Sequence, residues 1–161
     1  MEVRLATLDD AEAIREIYNR EVTGSTVTFD LVPRSLADQR AWLAAHAGAH
    51  PAIVAVEAGQ VLGFGSLTAY RDRPAYSTTV EDSVYVHHEA RGKGVGRLLL
   101  GELVRLATQH GFHAVMARVV GGHETSIALH TSCGFELVGV EREVGRKFGK
   151  WLDVALMQRL L

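Results

Sequence analysis

The spacing of apolar residues shifts along the chain between a strand-like period of two and a helix-like period near 3.6. Residues 2–6 alternate weakly and predict a short first strand. Thr7-Leu8-Asp9-Asp10 has the form of a capping box. Behind it Ala11, Ile14, Ile17 and Tyr18 share one face of a helix that runs to about Val22. Residues 23–33 are polar and β-branched and are broken by Pro33, so they predict a loop. Ser35 with Asp38 starts a second helix carrying Leu36, Trp42 and Leu43. Two strands follow, Ala52 to Ala58 and Val61 to about Tyr70, turned by Gly59-Gln60 into a hairpin.

A second loop covers Arg71 to Ser77, and Thr78 to His87 read as a strand. A long amphipathic helix begins near Val95 and runs to His110, with Gly111 as its left-handed cap. The apolar run His113 to Val120 predicts a strand, and a helix from about Glu124 to Ser132 ends at Gly134. Phe135 to Val144 and Leu152 to Gln158 predict the last two strands. The order β-α-α-β-β-β-α-β-α-β-β fits a mixed α/β domain spanning 1–161, with a central, largely antiparallel sheet.

At 161 residues the chain is long enough to bury a proper core. Apolar residues make up 47% and charged residues 22%, as in ordinary globular proteins. A net charge of −2 without blocks of like sign argues against nucleic acid as a partner. Neither a charged-then-apolar leader nor a membrane-length apolar run is visible, and the single Cys133 has no internal disulfide partner. A cytoplasmic location is expected.

The chemistry concentrates in Arg91-Gly92-Lys93-Gly94-Val95-Gly96-Arg97, between a β-branched stretch and a helix start. A strand, a glycine bend and a helix N-terminus bring bare backbone N–H groups up to a phosphate. Glycine at 94 and 96 removes the Cβ atoms that would keep a ligand away. Lys93 is followed by glycine rather than Ser or Thr, which excludes a P-loop. Arg97 stands where a dinucleotide fingerprint needs its third glycine. A pyrophosphate site remains.

This run resembles the Q/R-x-x-G-x-G/A motif of the GNAT superfamily of acetyl-CoA-dependent N-acetyltransferases, and the resemblance covers essentially the whole chain. Glu81-Asp82-Ser83-Val84-Tyr85-Val86, Ser126-Ile127-Ala128-Leu129-His130 with Gly134-Phe135, and Val144 to Asp153 are similar to the phosphinothricin and methionine sulfoximine/sulfone acetyltransferase branch. The resemblance implies that Val84, Tyr85 and Val86 meet the pantetheine arm through backbone groups, and that Gly92 to Arg97 hold the pyrophosphate. It implies further cofactor contacts at His123, where the branch usually has Asn, and at Ser132. It also implies a homodimer, with Lys147-Phe148-Gly149 near the interface, and direct acetyl transfer without a cysteine intermediate.

Glu81 is the candidate general base, because an amine must lose a proton to attack a thioester. Strand parity puts Glu81, Ser83 and Tyr85 on one face and Val80, Val84 and Val86 on the other, unless a bulge intervenes. A free glutamate, with a pKa near ~4.3, is a weak base, so burial or a relaying water is expected. The resemblance places a second catalytic candidate at His130, to orient the acceptor or move a proton, and Tyr85 is named to reprotonate the thiolate. The guanidinium forks of Arg71 and Arg73 suit an acceptor carboxylate; the resemblance places Tyr76 as an aromatic of that pocket, with Phe29 in the other long loop as its apolar wall. The eight histidines show no ligand spacing with carboxylates, and no metal is expected. His87 and His88 point apart if the strand stays extended. Acceptors other than an amino acid (a polyamine, an aminoglycoside or a protein N-terminus) and a non-catalytic acetyl-CoA sensor are the alternative readings.

Overall fold

The computed structural model describes residues 1–161. In chain order the elements are β1 (Glu2–Leu5), α1 (Ala11–Gly24), α2 (Leu36–Ala45), β2 (Ala52–Glu57), β3 (Gln60–Ala69), β4 (Thr79–Val86), α3 (Val95–Gln109), β5 (Ala114–Val120), α4 (Glu124–Ser132), β6 (Glu136–Lys147) and β7 (Lys150–Leu160). The succession of strands and helices is the one the apolar spacing predicts. All seven strands form one sheet in the order β1-β2-β3-β4-β5-β7-β6. Every neighbouring pair is antiparallel except β4 and β5.

The β4–β5 seam determines the architecture of the site. Pairing runs only through Thr79↔Ala114, Val80↔Val115 and Glu81↔Met116. Beyond that point β4 continues along β3 to Val86↔Gly63, and β5 continues along β7 to Val120↔Val154. The sheet therefore divides after Glu81, and the β5-facing backbone of residues 82–86 has no partner strand. Unpaired strand backbone inside a fold is a demand for other hydrogen-bond partners.

Each face of the sheet has its own core. On one face α3 and α4 cover a cluster containing Ile53, Leu67, Val80, Leu99, Leu103, Val115 and Met157. On the other, α1 and α2 cover Val54 and Phe64 with Ile14, Tyr18 and Leu43, and Tyr85 packs against this cluster. The parity read from β4 holds, since its register against β3 carries no bulge. Capping also holds. Ser35 Oγ accepts from Asp38 N–H at 3.0 Å, and Thr7 N–H donates to Asp10 at 2.8 Å.

The last hairpin differs from the prediction. The strands do not stop at Val144 and restart at Leu152; they continue to Lys147↔Lys150, joined by a tight turn at Phe148-Gly149. Both turn residues have positive φ, 53° and 71°, the mirror-image geometry that suits a twisted two-residue hairpin. The polar and glycine-containing stretch 144–151 hides this strand because it alternates without apolar residues on both faces.

α3 is held close to the sheet by two glycines of β3. A Cβ on Gly63 would stand 2.8 Å from Tyr85 O and 3.1 Å from both Leu99 Cδ1 and Val95 Cγ1. A Cβ on Gly65 would meet Leu103 Cδ1 at 3.0 Å. The obstruction at Gly63 includes backbone, so it cannot move aside. Gly63→Ala is expected to cost about 1–3 kcal/mol by overpacking, read as a lower chemical-denaturation midpoint. An unchanged midpoint would show that the close approach does not hold α3 in place.

Candidate active site

One half of the site lies at the start of α3. Gly92 and Gly94 have φ of +76° and +82°, which residues with a Cβ rarely adopt. Gly94 is the N-cap, and open space lies where its side chain would be. Leu98 N–H makes the first helical hydrogen bond, to Gly94 O at 3.1 Å, and the N–H groups of Val95, Gly96 and Arg97 find no acceptor in the chain. Lys93 and Arg97 are exposed beside them. Arg91 is engaged elsewhere: its guanidinium donates to the buried Glu21 carboxylate of α1, which also accepts from Ser25 Oγ at 2.5 Å. The arrangement offers what an anion needs: unpaired amide hydrogens and the positive potential of a helix start.

Gly96 serves closeness rather than backbone freedom. A Cβ there would stand 3.1 Å from Leu129 Cδ2 of α4, so α3 and α4 meet at this point beside Val86. The open backbone edge of β4 ends at Val86, next to Gly96 of the amide-lined bend.

The second half lies on the opposite face. Glu81 is half-buried at the last β4–β5 pair. Burial pushes its carboxyl above the usual range, Asp82 adds to this, and Arg118 and Arg71 oppose it without reversing it. Tyr85 shares the face, with its ring 5.2 Å from those of Phe64 and Tyr18. Burial and nearby Tyr18 push its phenol up, so its proton is held more tightly than usual.

His130 does not stand free in the cleft. It is buried on the α4 side, where Nδ1–H donates to Ser126 O at 2.8 Å and Nε2–H donates to Asp82 Oδ1 at 2.9 Å. Nδ1 faces a carbonyl and Nε2 a carboxyl oxygen, an arrangement that a ring donating from both nitrogens satisfies. Burial alone would lower the imidazole, but Asp82 outweighs it and the net direction is up. Both ring nitrogens of this second catalytic candidate are therefore engaged within the chain, and its link toward the Glu81 strand runs through Asp82. Asp82, which parity alone places on the α4 side, is the partner that sequence reasoning missed.

The loops supply the walls. Lys147, buried in the last hairpin, donates to Thr28 O at 2.8 Å and Asp30 O at 3.1 Å, and a methyl at Gly145 would collide with the Phe29 ring. The loop after α1 is thereby docked on β6. Arg71 lies over Tyr70 and Tyr76, 5.0 and 5.7 Å from their ring centroids. Arg73 is exposed at the start of the short turn Pro74–Tyr76 and is not among the charges acting on Glu81. His123 shares a hydrogen bond between its Nε2 and Thr26 Oγ1 at 2.8 Å, closing the β5 end against the same loop. Ser132 turns its hydroxyl back to Leu129 O at 2.7 Å on the exposed side of α4.

His87 and His88 do not point apart. The chain leaves the strand at Val86, and the two rings stack 4.5 Å apart. Their ligand atoms and that of Glu89 fall within 4.8 Å of one another, a grouping that the sequence spacing did not suggest.

The comparisons with known proteins agree with this geometry. Residues 11–135 match the acetyltransferase (GNAT) family model. The L-methionine sulfoximine/L-methionine sulfone acetyltransferase of Pseudomonas paraeruginosa is 40% identical over 97% of this chain and 92% of its own length. The crystal structure of a phosphinothricin acetyltransferase from Sinorhizobium meliloti in complex with acetyl-CoA superposes with a TM-score of 0.96 at 42% identity, over 99% of this chain and 88% of that one. The ribosomal-protein-alanine N-acetyltransferase of Brucella melitensis superposes with a TM-score of 0.98 at 38% identity, over the whole of both chains.

Two outcomes test the geometry. Gly94→Val forces a branched side chain into a φ of +82° and into the open space of the bend. Titration calorimetry should show coenzyme A affinity falling by about tenfold or more; unchanged affinity would remove the bend from cofactor binding. The raised His130 contributes stability that is full below its ordinary value near ~6.5 and is lost as pH rises through the folded value. Asp82→Asn should therefore lower the melting temperature more at pH 6 than at pH 9, and equal losses would show that the ring is not charged.

Proposed function

We propose that this chain, which belongs to the acetyltransferase (GNAT) family, acetylates the α-amino group of a small amino acid or amino-acid analogue of the methionine sulfone, methionine sulfoximine or phosphinothricin type. The observation that carries the reading is the placement of Glu81: half-buried, raised, at the point where the sheet parts, and on the face opposite the amide-lined bend. Acetyl-CoA, the co-substrate of this family, supplies an activated acetyl thioester. The free N–H groups at the start of α3 hold its diphosphate, and the unpaired edge of Val84–Val86 takes the arm.

In this reading Glu81 removes a proton from the acceptor ammonium, directly or through one water, and the freed amine attacks the thioester. Its raised carboxyl suits the task, since a base nearer to neutrality accepts a proton more readily. A backbone N–H of the open β4 edge donates to the thioester oxygen as charge builds there. Burial raises the Tyr85 phenol; in this reading the departing sulfur takes its proton from the amine or from solvent. His130 positions α4 through Asp82 rather than touching substrate.

The apolar edge formed by Leu137, Val138, Val140 and Val144 of β6 with Trp151 of β7 is 52 to 61% exposed. An exposed apolar edge strand of this kind supports a homodimer in which a second copy covers it. Acetyl-CoA as co-substrate supports a cytoplasmic setting.

The similarity to a ribosomal-protein-alanine N-acetyltransferase favours one second reading, a protein N-terminus as acceptor. A thiol-release screen of amino acids, sulfones, sulfoximines, polyamines and alanine-headed peptides separates them. Turnover of free amino acids or their analogues is expected; turnover of the peptides alone would overturn the reading. Glu81→Gln should lower kcat by roughly 10²–10⁴-fold with acetyl-CoA affinity unchanged. For the unaltered enzyme, kcat/KM should rise with pH through an apparent value above the ~4.3 of a free glutamate. A rate indifferent to Glu81→Gln would remove it from the mechanism.

A further inference from the structure

Accepting the amino-acid reading, on which this inference rests, we propose that Arg118 of β5 is a specificity-determining residue that holds an oxyanion of the acceptor. Three placements carry it. Glu81 pairs with Met116, and Arg118 lies two residues further along β5, so its side chain leaves the sheet on the same face as Glu81. Val115, Ala117 and Val119 go to the opposite core, which confirms the parity. Because β4 and β5 have already parted, Arg118 stands on the β5 bank of the opening while Glu81 stands at its closed end. Neither α1 nor α2 covers this part of the face, since their core lies over β2 and β3.

The guanidinium is fixed but not used up. Its Nη2 donates to Glu141 Oε1 of β6 at 2.6 Å, and Nε and Nη1 make no hydrogen bond within the chain. Glu141 pairs with Val154 and Arg118 with Leu156, so the ion pair reaches diagonally across β7 on the cleft face. The side chain is 37% exposed. Its charge acts on the Glu81 carboxyl more strongly than that of Arg71.

An α-amino acid brings an ammonium and a carboxylate a few ångströms apart. With Glu81 taking the ammonium, a rigid cation on the same face is the matching partner for an oxyanion. Arg73 does not occupy that place, and Arg71 is drawn over Tyr70 and Tyr76 on the far wall. Two guanidinium groups therefore flank Glu81 from different elements, and an acceptor carrying a carboxylate and an oxidised phosphorus or sulfur can meet both. A polyamine would meet two repelling cations there.

The test is steady-state kinetics of the full-length protein with Arg118→Met, Arg118→Lys and Glu141→Gln. The acceptors are L-methionine sulfone, its carboxamide, and L-methionine. Arg118→Met should raise the KM for methionine sulfone about tenfold or more, with the KM for acetyl-CoA unchanged. Arg118→Lys, which keeps the charge but not the fork, should fall between. Glu141→Gln, which frees the fork but leaves it in place, should have a smaller effect. If the loss disappears on the carboxamide, Arg118 holds the α-carboxylate; if it disappears on methionine, Arg118 holds the sulfone oxygens. Acceptor KM within about twofold of the unaltered enzyme in Arg118→Met overturns the assignment, and should that variant not fold, the same result in Arg118→Lys does so. An unaltered enzyme that acetylates no amino acid overturns the substrate reading itself, which is a different outcome from turnover that ignores Arg118.

Discussion

Two parallel strands that part after three residue pairs shape everything around them. β4 and β5 share only three pairs, and each then follows its other neighbour. A sheet that divides in this way leaves backbone hydrogen-bonding groups without partners in the middle of a domain, which a stable fold tolerates only where a ligand or solvent can satisfy them. The opening also connects the two faces of the sheet. Unpaired amide hydrogens lie at the α3 end, and the half-buried Glu81 carboxyl lies on the other face.

Packing holds the opening in shape. Gly63 and Gly65 let α3 lie close over β3, so the start of the helix cannot drift from the β4 edge. Gly96 and Leu129 set the distance between α3 and α4. Asp82 and His130 form a buried ion pair with side chains only 2% and 5% exposed, one residue past the last β4–β5 pair. Removing one partner of such a pair leaves a charge stranded away from water, which costs far more than the pair contributes when intact. The charged groups near the seam thus divide their work. Asp82 and His130 tie β4 to α4, whereas Glu81 and Arg118 leave the sheet on its opposite face.

Much of this was legible in the sequence, for reasons that are local. The element order follows from apolar period, capping residues and glycine stops, and the side on which Glu81 lies follows from counting by twos along β4. What the sequence hid are pairings between distant segments. Nothing near His130 announces Asp82, 48 residues away, and a histidine in a helix reads equally well as a catalyst or as a buried ion-pair partner. Lys147 looks like a surface lysine until Thr28 and Asp30, on a loop more than a hundred residues earlier, offer it their carbonyls. Arg118 sits in an apolar strand where a charge is an anomaly; that anomaly was the available signal. The tip of the last hairpin was missed because residues 145–150 are polar or glycine apart from Phe148, and register there is set by turn geometry rather than by a buried face.

The decisive measurement is a crystal structure of the acetyl-CoA complex. The diphosphate should lie on the N–H groups of residues 94–97, the arm should thread between β4 and β5, and the thioester carbon should emerge on the Glu81 side of the sheet. A cofactor lying wholly on the α3 side, with the strands unpaired and nothing passing between them, would contradict that path.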